Sequence, residues 1–176
     1  VLTDLRQHFD EILADLEDVA GSKTARVRRP VMILGSLDGI ETGVRQLIRE
    51  EPLETMRAEC EGEDLTVPTL AEILRIKGVL ILKRNATRDY LDFVALADAM
   101  QDADVVGALK HFDELYPQPN GQSALQQLQV QLAKPLPFDL EETRLDEYKN
   151  LVPKWQDWAN VESVAAGIAD LILAHL

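Results

Sequence analysis

The chain has 176 residues, 46% hydrophobic and 28% charged, which is enough for one substantial core or a core with a helical appendage, and argues against disorder. Its formal charge of −13 repels nucleic acid and anionic membrane from the molecule as a whole, so any nucleic-acid contact must be local. A single cysteine, Cys60, excludes an intramolecular disulfide and a cysteine-based zinc site and suits a reducing cytoplasm, while His8, His111 and His175 are scattered without metal-ligand spacing.

Along the chain, Leu2, Leu5, Phe9, Ile12, Leu13, Leu16 and Val19 recur at three- and four-residue steps with acids opposite and Gly21 as a stop, predicting an amphipathic helix over residues 2–20. The runs ARVRRPVMIL, GVRQLIRE and ETMRAECEGEDLTV have strand length and are parted by turn-like LDGIET and EP, predicting a short, mainly antiparallel sheet. From Thr69 the period becomes helical. A capping box, Thr69 with Glu72, opens a helix to about Asn85, and Thr87 opens a second reaching Met100. Further helices are predicted over Asp104 to Tyr116, Gln122 to Lys134, Leu140 to Leu151 and Asn160 to Leu176. No run of about 18 uncharged apolar residues exists, so neither export signal nor membrane span is predicted and a cytoplasmic location is expected.

The concentrated chemistry lies between Pro68 and Phe93. The helix from Thr69 is apolar around most of its circumference, and Lys77 sits in its middle with Ile73, Leu74, Leu80 and Ile81 one turn away. Lysine is rarely buried without a partner. Lys77 therefore reads either as snorkelling to a neighbouring carboxylate or as pointing into a cleft at phosphates. Arg84 lies two turns on along roughly the same face, and the next helix opens with Arg88-Asp89, with Asp92 one turn after Asp89. The two carboxylates read equally as first-turn charge favoured by the helix dipole, as salt-bridge partners of Arg84 or Arg88, or as metal ligands of the kind phosphoryl transfer uses.

The run VPTLAEILRIKGVLILKRNATRDYLDF resembles the C-terminal motif pair of the AbiEii-type nucleotidyltransferases, bacterial toxins of type IV toxin-antitoxin systems. Glu72-x4-Lys77 matches an acid-x4-Lys motif, and Arg88-Asp89-Tyr90-Leu91-Asp92-Phe93 matches the motif that opens the following helix, over about 25 residues in all. That resemblance implies an NTP site in which Lys77 contacts the triphosphate and Asp89 is the essential acid, both catalytic, with Lys77, Arg84, Arg88 and Asp92 binding nucleotide. It also implies Mg²⁺, transfer of a nucleotide to RNA (tRNA) or to a protein hydroxyl, and neutralisation by a cognate antitoxin. The family's N-terminal Gly-Ser and Asp-x-Asp motifs, which hold its catalytic metal, are not in this sequence: either they lie upstream of Val1, as the enzyme reading requires, or they are lost; Gly35-Ser36 imitates the first but reads as a hairpin turn.

The expected fold is therefore α+β: a nucleotidyltransferase-like mixed sheet within residues 1–100, followed by a helical subdomain over 101–176. The alternative is a non-catalytic protein of that fold whose helical half binds a partner, with the charged cluster as a structural ion-pair network. Arg26, Arg28 and Arg29 read as edge-strand charge or as a guide for an RNA acceptor, and Trp155 and Trp158 as a helix-junction anchor or as a base-stacking pair.

Overall fold

The computed structural model describes residues 4–47, 49, 51–148 and 150–175, and the chain divides into two compact units, Val1–Pro52 and Leu53–Leu176. The class is α+β, with strands preceding a helical half. Residue 100, where the sequence-based boundary falls, lies within the second unit.

In the first unit a helix, α1 (Phe9–Asp18), precedes three antiparallel strands, β1 (Ser22–Arg28), β2 (Met32–Leu37) and β3 (Ile40–Arg45), in the order β1-β2-β3. The helix is shorter than its periodicity predicts. Residues 4–8 form turns, with the Gln7 and His8 amides donating to the Asp4 carbonyl, and Leu2 lies outside the described residues. A small core joins Leu5 and Phe9 to Ile33, with Ile12, Leu13, Leu16 and Val44 around it. The turn between β2 and β3 is Asp38-Gly39, both at positive φ (50° and 84°), the two-residue type I′ signature whose twist matches that of the flanking strands. Gly35-Ser36 is thus not the turn but the middle of β2, where Gly35 pairs with Thr24 and Thr42. A bulge in β1 between Thr24 and Arg26 brings the Lys23 carbonyl to 2.3 Å from where a Cβ at position 35 would stand, so only glycine fits.

The second unit opens with a hairpin, β4 (Thr55–Cys60) and β5 (Glu63–Pro68). The run ETMRAECEGEDLTV folds back on itself at Glu61-Gly62, again with both φ positive (53° and 87°). The antiparallel strands are accordingly shared between two sheets.

Helices follow: α2 (Leu70–Arg84), α3 (Thr87–Asp98), α4 (Asp102–Leu109), α5 (Phe112–Leu115), α6 (Ala124–Ala133), α7 (Pro153–Gln156) and α8 (Trp158–His175). The first begins where the capping signal places it: Thr69 Oγ1 accepts the Glu72 amide at 3.1 Å. It ends at Asn85 in the left-handed conformation, whose amide bonds the Ile81 carbonyl. The helix predicted over 104–116 breaks at Lys110-His111 into α4 and α5, and of the one predicted over 140–151 the described residues form a single 3-10 turn, Leu145–Glu147. There Arg144 bonds Asp146 and Glu147 as surface charge, and among those three turn residues only Leu145 is buried.

One core unites α2, α3, α4, α5, α6 and α8 through Leu74, Phe93, Leu109, Phe112, Leu128 and Val161. Gly78 marks its tightest crossing, where a Cβ would stand 2.9 Å from Leu128 Cδ2 and 3.2 Å from Phe112 Cε2. Trp155 is buried in this core and Trp158 meets Tyr90 edge-on at 6.2 Å between ring centroids, so the pair anchors the junction of α7, α8 and α3.

Candidate functional site

Two consecutive helices meeting at Asn85-Ala86 bring together all five residues singled out by sequence. The i, i+7 spacing of Lys77 and Arg84 runs both cations along one side of α2, and the first turns of α3 present Asp89 and Asp92 to them. Lys77 Nζ donates to Asp92 Oδ2 at 2.6 Å, and Arg88 Nε stands 3.8 Å from the same oxygen. Arg84 grips Asp89 with two parallel bonds, Nε to Oδ2 at 2.9 Å and Nη2 to Oδ1 at 2.5 Å. The fork geometry is the strong form of an arginine–carboxylate pair.

Burial separates the two pairs. Asp89 is 1% exposed, whereas Lys77 and Asp92 keep 24% and 36% of their side-chain surface. Of the two readings of Lys77, the geometry shows a neighbouring carboxylate. Three cations face two carboxylates, and each carboxylate is engaged by a close cation, Asp92 by Lys77 and Asp89 by Arg84. Among the described residues no group of three or more His, Cys, Asp or Glu is placed to hold a metal ion.

A second network was not read from the sequence. Glu72, fully buried, accepts from Arg75 Nη2 at 3.0 Å and from the Glu54 amide at 3.2 Å. The same guanidinium nitrogen donates to Glu54 Oε2 at 2.5 Å, and Nη1 donates to the Ala108 carbonyl on α4 at 3.2 Å. Burial works to lower the Arg75 pKa, but the two carboxylates outweigh it and hold the guanidinium above its ordinary value. The network ties the hairpin entry, α2 and α4 together. Its signal was present as Glu72 and Arg75 three apart on a largely apolar helix, but its third member, Glu54, is 18 residues from Glu72 and no periodicity links them.

The start of α3 is capped from afar. Its first residue, Thr87, is buried and donates through both its amide and its hydroxyl to Asp139 Oδ1, each at 2.7 Å. Burial alone would raise the Asp139 carboxyl, yet these bonds bring it below the usual carboxylate range.

One turn on, the buried Tyr90 hydroxyl donates to Asn85 Oδ1 at 2.7 Å, and desolvation pushes its pKa up from 10.0 to about 12. Folding thus favours the neutral phenol. The stability that this provides is complete below pH 10 and is lost as pH rises toward 12, at up to about 1.4 kcal/mol per unit. Urea titrations at stepped alkaline pH should show a decline that is shallower in Tyr90→Phe; an identical slope in both proteins would refute the assignment.

The other cations are accounted for separately. Arg26 and Arg28 are exposed on β1, an edge strand, while Arg29 pairs with Asp10 and lies 5.1 Å over the Phe9 ring. No helix among the described residues is long and apolar enough to cross a membrane.

Comparison with known proteins points to a different class from nucleotidyltransferases: the matches are to transport proteins. Specifically, the chain is 40% identical over 95 residues to the heme uptake protein MmpL11 of Mycobacterium tuberculosis, covering 52% of this chain and 10% of that protein. It is 32% identical over 128 residues to the mycolic acid-containing lipids exporter MmpL11 of Mycolicibacterium smegmatis, covering 71% and 13%. To the probable transport protein MmpL11 of Mycobacterium leprae it is 34% identical over 112 residues, 62% and 11%. The chain therefore spans about a tenth of the length of the curated relatives it matches. No family model matches, and no solved structure matches significantly.

These relatives overturn the resemblance to AbiEii-type toxins, and with it the nucleotidyl transfer and the toxin-antitoxin role. The antitoxin and the RNA acceptor that followed from that resemblance lose their basis. The physical reason for the false match is visible in the geometry. Cations along one helix and carboxylates opening the next are what any pair of consecutive helices bridged by ion pairs displays, and a motif of about 25 residues held little else.

Proposed function

We propose that this chain is an extramembrane module of transport, equivalent to the segment of the MmpL11 transporters that it matches. The observation that carries the reading is the identity of 32–40% with those transporters over 95–128 residues, more than half of this chain in each case. The fold supports it in kind. The described residues form two compact units, and no helix among them is long and apolar enough to cross a bilayer; the module serves translocation from outside the bilayer. The charged cluster between α2 and α3 is then a clasp that makes the helical half a firm platform. A cytoplasmic position agrees with a single free, exposed cysteine, Cys60. The cargo is of the kind named for the relatives, heme or mycolic acid-containing lipids.

A chimera tests this directly. In Mycolicibacterium smegmatis the matched segment of MmpL11 is replaced by this chain, and export of mycolic acid-containing lipids is compared with wild type and with a strain lacking the segment. The chimera should restore export. A chimera present in the membrane at the wild-type level that exports no more than the strain lacking the segment would overturn the equivalence.

A further inference from the structure

Away from the α2–α3 clasp, one surface feature is concave, apolar at its base and charged at its rim. It is a groove of about 520 Å³ where the end of α3, the start of α4 and the outer turns of α8 meet. Val105 and Ile168 form a buried floor, and Met100 and Leu171 are partly exposed beside them. Asp102 and Asp170 stand exposed at the rim, and neither is ion-paired among the described residues, whereas the nearby Asp98 is held by Lys154 at 2.5 Å. Gly167 lines the groove on α8, three residues before Asp170, and a Cβ added there would meet nothing within 4 Å. Glycine is, after proline, the least favourable residue inside a helix; its effect here is to leave the groove open.

We propose that this groove docks a basic amphipathic helix of a protein partner. Large apolar side chains of that helix would cover Val105, Ile168, Met100 and Leu171, and its lysines or arginines would meet Asp102 and Asp170. Charge complementarity selects this occupant. Two unpaired carboxylates on a chain of net charge −13 attract a cationic segment at long range and repel nucleic acid and anionic lipid surfaces. The volume lies within the roughly 300–1,000 Å³ of small binding sites, which suits a few side chains and not a folded domain. A methionine in the lining adapts to side chains of different shape, and a helix laid in a groove is a recurrent way for an apolar stripe to be recognised.

The test uses the whole chain and a synthetic amphipathic helix of leucine and lysine, with affinity read by calorimetry and location by amide chemical-shift changes. Three variants separate the groove from overall charge. Gly167→Leu fills the groove without altering charge, its Cβ entering open space, Asp170→Lys reverses the rim, and Asp15→Lys makes the same charge change on α1. The first two should each weaken binding about tenfold or more, with wild-type shifts confined to the groove, while the third should change affinity far less. The proposal is overturned if the wild type does not bind, if Gly167→Leu binds as wild type does, or if Asp15→Lys is as damaging as Asp170→Lys.

Discussion

Replacing Glu72 with alanine should destabilise the second unit by about 3–5 kcal/mol, the usual cost of removing one partner of a buried ion pair. Glu72 has no exposed surface, and the side chain of Arg75 retains only 9% of its own. Without Glu72 the guanidinium keeps the solvent-facing Glu54 and one carbonyl, that of Ala108, while the Glu54 amide loses its acceptor. The penalty thus lies less in the lost attraction than in a buried guanidinium left with one solvent-facing carboxylate in place of two, since an under-compensated cation in low dielectric is costly. A paired replacement separates the two effects. Glu72→Leu with Arg75→Met removes both charges in similar volume and should recover most of the loss. Urea denaturation of the three proteins gives the comparison, and a loss below about 1 kcal/mol for Glu72→Ala would class the pair with ordinary surface salt bridges.

Asp89→Ala should cost about 2–3 kcal/mol and Lys77→Ala less than about 1 kcal/mol, although the two residues belong to adjacent ion pairs. Asp89 is buried in the first turn of α3, where the helix dipole favours a carboxylate, and it takes two charge-assisted bonds from Arg84. Its loss leaves a gap beneath the guanidinium, but Arg84 is half exposed and can turn to water. The cost therefore stays below that of the Glu72 variant. The Lys77–Asp92 pair is partly solvated on both sides, and Arg88 remains near Asp92 when Lys77 is gone. Thermal or urea unfolding of the two single variants should place them in that order. Equal losses would show that the bidentate geometry contributes nothing beyond a surface pair.

Much of the helical half was legible in advance because its signals are local. The cap at Thr69, the apolar circumference of α2 and the renewed start at Thr87 concern residues within a turn or two of one another, and α2 and α3 form where those signals place them. The strands were read less well for the same reason inverted. The hairpin at Glu61-Gly62 lies within what reads as one extended run, because nothing except a glycine after an acid announces two positive φ values in succession. The segment from Leu140 to Leu151 has helical spacing, yet among its described residues only Leu145–Glu147 form a 3-10 turn, with Leu145 buried in the core, while Asp139 just before it caps α3.

For the candidate site, sequence spacing by itself determined that Lys77 and Arg84 share a side of one helix and that Asp89 and Asp92 open the next, because the 3.6-residue period fixes relative direction within a helix. It also determined the acidic excess that shapes the groove rim. Only the tertiary structure decided which cation meets which carboxylate, that Asp89 is buried while Asp92 is not, and that Glu72 and Arg75 form a closed network with Glu54. Those outcomes depend on how two helices cross and on what lies above them, and burial, which sets whether a charge pair clamps, binds or merely dissolves, comes from residues distant in the chain.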